Sequence, residues 1–284
     1  MADRLGGLTE ILDQVIAEGV EVILVHDFQD EATSTQLTEI SNQRMDLGDL
    51  HLIEARYGGP GLARNAGLQA ATRKYVVFWD SDDLVYVPNF IEFVGEVLEA
   101  NSDLGIAEFV LKKNETLRRF HISGESFSDA FRFLAIYPGL WRYVFKRETI
   151  EDLKFIESRM GEDQVFIAQA LKCAKTILLF HKPVYEYQVL GEGQLTSDPK
   201  NLVYIIKSLQ EISKIHRLTV EPEKRDFLTL MYWKMYLTLV TKTGSGISKV
   251  QLLRELVALR KDNSRLLVRF LLQFTIFQNY KNLK

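Results

Sequence analysis

The run Val20-Glu21-Val22-Ile23-Leu24-Val25 constrains this chain more than any other feature. It is short, β-branched and nearly all apolar, so it fits a strand buried on both faces better than a surface strand with alternating polarity. Before it, Leu8, Ile11, Leu12, Val15 and Ile16 recur at helical spacing. After it come a polar helix from about Glu31 and a strand around Leu50–Ile53. The loop Tyr57-Gly58-Gly59-Pro60-Gly61 breaks the pattern, Leu62–Ala71 resumes it as a helix, and Tyr75–Trp79 is the next buried strand. Strands and helices in alternation predict right-handed crossovers and a mostly parallel central sheet, an α/β fold of Rossmann-like form. In such sheets ligands bind beyond the carboxyl ends of the strands. That rule directs attention to Asp27 and to Asp80-Ser81-Asp82-Asp83.

The middle of the chain is mixed. Strands are expected at Leu104–Leu111, Trp141–Phe145, Ile177–Phe180 and Val184–Tyr187, with helices at Phe127–Ile136 and Glu162–Cys173. From about Asn201 onward the pattern is helical and more basic. The expected division is an α/β domain over 1–198 and a C-terminal helical extension over 199–284. A net charge of -3 gives no basic field for nucleic acid. The single cysteine, Cys173, falls in an apolar helical pattern and reads as a buried, reduced thiol. The sequence has neither a spanning apolar run nor an apolar signal-peptide core near Met1, so a cytoplasmic setting is expected. Residues 247–284 are rich in Lys and Arg, with Leu266, Phe270 and Phe274 among apolar residues at helical spacing. They read as a helix lying on the inner face of a membrane, or packed on the catalytic domain or a second copy.

Three constellations can carry chemistry. Asp80, Asp82 and Asp83 put three carboxylates within four residues at a buried strand's end, costly unless a cation or solvent compensates them. Hard oxygen ligands suit Mg²⁺ or Mn²⁺, and on an extended backbone Asp80 and Asp82 aim to one side. A solvated acidic turn, or a cap for the helix near Pro88, is the competing reading. Gly58-Gly59-Pro60-Gly61-Leu62-Ala63-Arg64 places glycines and a permanent cation at a helix start, which suits an anion, although an ordinary flexible loop looks the same. Gly161-Glu162-Asp163 opens a helix with two acids, as dipole capping alone would favour.

In order, Val22–Asp27, Gly61–Gly67, Phe78–Asp83 and Gly161–Asp163 resemble the inverting glycosyltransferases of family 2, and Trp141–Arg147 resembles bacterial members. The resemblance covers roughly residues 5–190. It implies a nucleotide-diphospho-sugar transferase fold and transfer of a sugar, expected to be UDP-linked, to a glycan or lipid-linked acceptor in cell-surface polysaccharide synthesis. On that resemblance Asp27 would bind the nucleotide base, Arg64 would lie near the nucleotide, and Asp80 and Asp82 would form the Asp-x-Asp motif. Asp82 would be the more direct metal ligand and Asp80 nearer the ribose. Asp163 would be the catalytic base and Glu162 its neighbour towards the acceptor. Trp141 would stack on an acceptor sugar, with a core role equally open.

Two departures bear on the base pocket: His26 stands where the family has an acid, and Phe28 where it has glycine. The family also has a strand before the helix at Leu8, lying between the counterparts of Val20–Val25 and Tyr75–Trp79. Without it, those two strands are expected to pair directly or to borrow a strand. Sugar-nucleotide binding is then expected to be poor until a strand is supplied. A non-catalytic sugar-nucleotide or glycan-binding protein is the alternative. A nucleotidyltransferase would need a Gly-rich, basic loop after its first strand, which is not visible.

Overall fold

Gly19, at φ +75°, reverses the chain between its first helix and first strand. Helix α1 (Ala2–Ala17), in which Leu12, Val15 and Ile16 are buried, packs on the strand Leu84–Val85 and the helix Val87–Glu99 and leads into β1 (Val22–Asp27). The computed structural model describes residues 2–27, 30–44, 49–81, 83–189, 201 and 203–241. Helix α2 (Glu31–Asn42) starts at Asp30, whose carboxylate accepts from the Thr33 N–H at 2.8 Å, an ordinary N-cap. β2 (Leu50–Ala55) pairs with β1 in parallel, Val22 opposite Leu50 through Asp27 opposite Ala55. Helix α3 (Pro60–Ala70) then packs on β1. Gly67 makes that approach possible, since a Cβ there would stand 3.2 Å from Val25 Cγ2.

The second half contains β3 (Tyr75–Val76), β4 (Leu84–Val85), α4 (Val87–Glu99), β5 (Leu104–Lys113), β6 (Thr116–Phe120), α5 (Phe127–Ile136), β7 (Tyr143–Lys146) and the short α6 (Arg147–Ile150). It continues with α7 (Glu162–Cys173), β8 (Ile177–Gln188), α8 (Tyr204–Leu218) and α9 (Pro222–Thr241). Its sheet runs β3-β7-β5-β8-β4, with β6 also on β5. Strand β5 is central, buried from Leu104 to Val110. The expected α/β alternation holds, but parallel pairing is confined to β1–β2 and β5–β8; every other pair is antiparallel. For β5–β6 a short link explains this. β5 turns straight into β6 over Asn114 at φ +52°, and a two-residue turn can only join antiparallel strands.

Other expectations need correction. The apolar run Tyr75–Trp79 is regular strand only at Tyr75–Val76. The two expected strands at Ile177–Phe180 and Val184–Tyr187 are one strand, β8, with an irregularity where it pairs β5 at Glu108. Strands β1 and β3 neither pair with each other nor share a borrowed strand; among the described residues the sheet is divided in two. Cys173 is exposed, not buried, because it closes the last turn of α7 while Leu171 and Ala174 take the inward face.

Helices α8 and α9 do not stand apart. Leu209, Ile212, Phe227 and Met231 share one core with Leu134, Phe166 and Leu171 of α5 and α7. The boundary expected near 198 falls outside the described residues, as does the basic segment 247–284. Among the described residues no helix is long and apolar enough to cross a membrane.

Candidate active site

Helix α7 begins at Gly161, whose φ of +81° is a left-handed conformation that side-chain-bearing residues avoid. A Cβ there would also stand 2.8 Å from the Ser208 side chain and 2.9 Å from the Met235 methyl. Helices α8 and α9 therefore press directly on the helix start that carries Glu162 and Asp163. On the opposite side, Gly61 lets α3 begin against the same point: a Cβ there would meet the Ile156 carbonyl at 2.9 Å and Glu162 Cγ at 3.1 Å. Asn65 fixes this contact by exchanging two hydrogen bonds with the Phe155 backbone, donating at 2.9 Å and accepting at 2.8 Å.

One turn into α3, Arg64 ties the three motifs together. Its Nη1 donates to Glu162 Oε1 at 2.9 Å and its Nη2 to Asp80 Oδ1 at 2.7 Å. Burial alone would lower the guanidinium's pKa, but Asp80, Glu162 and Asp163 outweigh it and hold it above its ordinary value. For Glu162 the balance runs the other way. Burial, with Asp163 beside it, pushes the carboxyl up to about 7 against the pull of Arg64. Asp163 is raised as well, by burial first and by Asp80, while Arg64, the Gln164 N–H and Lys234 oppose the shift. Carboxyls tuned upward in a cleft are suited to taking and giving protons near neutral pH.

These groups line a cavity of about 1460 Å³ together with Asp27 and Trp141. Asp27 stands at the end of β1 as expected, where its Oδ1 accepts from the N–H groups of Tyr57 (2.7 Å) and Gly58 (3.1 Å). It thereby anchors the glycine loop. His26 pairs with Glu54 of β2 at 3.2 Å. Trp141 lines the cavity and stacks at 4.6 Å on Tyr185, with Tyr187 further along at 5.8 Å. Asp83 has a structural part: buried, it accepts from the Tyr185 hydroxyl at 2.9 Å and the Gln188 N–H at 2.6 Å. Asp82 lies outside the described residues, and among those described no group of three ligating side chains converges.

Sequence reasoning missed Tyr185 and Lys234. The Tyr185 hydroxyl also accepts from the Asp80 N–H at 3.2 Å and so pins the acidic turn from β8. Lys234, on α9, lines the cavity near Asp163. Neither position carries a local signal, since each acts across more than 70 residues of chain.

Residues 4–160 match the family described as Glycosyl transferase family 2. The chain belongs to that family. It is 24% identical over 201 residues to the glycosyltransferase GlyA of Streptococcus pneumoniae, covering 64% of this chain and 28% of that protein. It is 28% identical over 198 residues to the succinoglycan biosynthesis protein ExoO of Rhizobium meliloti, covering 62% and 54%. The chain thus spans about half or less of these relatives. In fold it is similar to Staphylococcus aureus TarS 1-349 in complex with UDP-GlcNAc, at TM-score 0.69 and 16% identity, over 90% of this chain and 76% of that one. A mannosyltransferase from Pyrobaculum calidifontis in complex with GDP-Man and Mn²⁺ is similar at TM-score 0.55 and 16% identity, over 96% and 76%.

Proposed function

We propose that this chain transfers a sugar, with inversion, from a UDP-linked donor to a glycan or lipid-linked acceptor in cell-surface polysaccharide synthesis. The observation that carries the reading is the Arg64 bridge, which joins the strand-end carboxylate Asp80 to the acidic helix start at Glu162 and Asp163. Donor-side and acceptor-side chemistry thereby share one cavity. Relatives named for polysaccharide and teichoic acid synthesis, and similar folds that hold UDP-GlcNAc or GDP-Man, support the substrate class.

In this reading Asp27 binds the base and Arg64 neutralises charge on the diphosphate as the glycosidic C–O bond breaks. The acceptor oxygen forms its bond to the anomeric carbon from the opposite face, and its proton passes to the Asp163 carboxylate. Glu162 and Trp141 orient the acceptor. Base catalysis of this kind contributes about 10²–10⁴-fold.

The donor set fits a hard divalent cation. Asp80 is 40% exposed at its side chain and commits only Oδ1 to Arg64, and Mg²⁺ or Mn²⁺ needs just one or two carboxylates beside waters and substrate phosphates. Asp80, with Asp82 two residues on, would hold it, and it would supply Lewis-acid stabilisation of the leaving diphosphate. Calorimetric titration with UDP tests this. Binding is expected with Mn²⁺ and to weaken in Asp82→Asn; equal affinity in chelator overturns the metal assignment. Transfer of radiolabelled sugar from UDP-GlcNAc, or from other UDP-sugars, to a membrane-derived acceptor tests turnover; binding without transfer from any of them would favour a non-catalytic sugar-nucleotide protein.

A further inference from the structure

The segment 157–161, which leads into α7, is anchored along its backbone. The Lys207 ammonium donates to the Glu157 carbonyl at 2.7 Å, and the hydroxyls of Ser158 and Ser208 donate to the Met160 carbonyl at 3.0 and 2.9 Å. At the end of the segment Gly161 lies against α9, where an added Cβ would stand 2.9 Å from the Met235 methyl. Arg159, between these anchors, lines the cavity, and so does Lys234, the residue before Met235. The backbone under each cation is therefore fixed, by the anchored segment for Arg159 and by α9 for Lys234. Arg159 is exposed, and no acid pairs with it among the described residues.

The other charged groups at this end of the cavity already answer one another. Arg64 donates to Asp80 and Glu162, Asp27 accepts two backbone N–H groups, and Asp83 accepts from Tyr185 and Gln188. Glu157, close to Arg159 in sequence, does not line the cavity. Asp163 is then the acid that acts on Lys234. Two cations against one carboxylate give this flank of the helix start a surplus of positive charge. In the transfer proposed above Asp163 gains a proton, so the surplus grows as the acceptor oxygen attacks. An anionic group on the acceptor would offset it throughout. The donor diphosphate has its own cation, because Arg64 reaches the helix start from the α3 side.

We propose that Arg159 and Lys234 bind a phosphate group carried by the acceptor, close to the hydroxyl that Asp163 deprotonates. The inference rests on the transferase reading above and narrows its acceptor to a phosphate-bearing one. A guanidinium offers a planar fork of N–H donors and an ammonium a compact point charge, and the oxygens of one phosphate can accept from both. A carboxylate is satisfied by the guanidinium fork alone. Such a phosphate has two chemical sources, the diester of a polyol-phosphate chain and the diphosphate of a lipid carrier. Both present the same oxygens to the two cations.

Calorimetric titration of the full chain, with UDP and Mn²⁺ saturating the donor side, tests the proposal. Two matched pairs of probes are used: a glycerol-phosphate trimer against uncharged triglycerol, and octyl-diphospho-glucose against octyl glucoside. In at least one pair the phosphate-bearing probe should bind about tenfold tighter or more. Preference in the first pair assigns the phosphate to a polyol chain, and in the second to a lipid carrier. Arg159→Gln and Lys234→Gln should each lower the preference about three- to tenfold, while Arg159→Lys and Lys234→Arg should keep most of it. UDP affinity should stay within about twofold of the parent in each variant. Arg159 is exposed, so its variants report on the site even where a change at the half-buried Lys234 unfolds the chain. No preference in either pair overturns the proposal, and so does a preference that survives both glutamine substitutions. An equal gain from octyl glucuronide, which carries a carboxylate, overturns phosphate as the group bound. A matching fall in UDP affinity overturns it as well, because the two cations would then serve the donor. If the parent does not bind UDP, the function proposed above falls. The same titrations without UDP then decide the anion site: a preference that depends on Arg159 and Lys234 keeps it, and no preference removes it.

Discussion

Replacing Arg64 by methionine tests the charge logic of the site without a substrate. The guanidinium lies 2.9 Å from a Glu162 carboxylate whose side chain is 7% exposed, and 2.7 Å from an Asp80 carboxylate that is 40% exposed. Asp80 can rehydrate when its partner is lost, so that half of the bridge contributes about 1 kcal/mol or less. Glu162 cannot, and an uncompensated buried charge costs about 3–5 kcal/mol. The sign of the pH dependence follows from Glu162 itself. Its folded value of about 7 lies above the 4.5 of a free carboxyl, so the folded state holds the proton more tightly. Stability is therefore fully present below about pH 4.5 and falls as pH rises towards 7, by about 3 kcal/mol. Without Arg64 the carboxyl titrates higher and the loss continues past 7. Urea unfolding of Arg64→Met should thus show a deficit of about 3–5 kcal/mol at pH 8 and about 1–2 kcal/mol at pH 5, where the remaining loss is the exposed Asp80 half of the bridge together with the guanidinium's contact with the Phe155 ring at 5.7 Å. An equal deficit at both pH values, with unchanged denaturant slope, refutes the reasoning.

Asp163→Asn should lower transfer by about 10²–10⁴-fold and leave UDP affinity, measured by calorimetry, within twofold or so of the parent; full activity would transfer the base role to Glu162. Tyr185→Phe removes one donor from the buried Asp83 carboxylate and frees the Asp80 N–H, so it should cost about 1–3 kcal/mol in urea unfolding and weaken UDP binding in parallel. Gly161→Ala combines a left-handed residue, at about 1–2 kcal/mol, with a Cβ 2.8 Å from Ser208; a melting temperature equal to the parent's would count against the packing of α8 and α9 on the helix start.

Local chemistry made most of the elements legible. Apolar spacing found α1, α3 and α7, and the run Phe127–Ile136 coincides with α5 because Ser126 and Asp129 form a reciprocal capping box at its start. The three site motifs were also legible, since each lies in a few consecutive residues at a strand or helix end. What the residues do to one another was not. Nothing near Arg64 in sequence announces a partner 98 residues away at Glu162, and Tyr185 reads as one more apolar position of a strand.

The sheet was legible in its strands and not in its neighbours, and the reason is physical. Periodicity reports how many faces of a segment are apolar; it does not report which edge finds a partner. Val22–Val25 satisfies the composition of a strand enclosed on both sides, yet among the described residues β1 pairs on one edge, and Tyr75–Trp79, equally apolar, is regular for two residues. A regular strand needs a ladder to hold its dihedral angles, and each backbone pair gained contributes about 1 kcal/mol. Where the neighbour is absent the apolar run persists in the sequence but the ladder does not form. The shortfall between β-branched composition and regular strand length at Val77–Trp79 is therefore itself a mark of the unpaired edge, which lies beside the acidic turn that the candidate site depends on.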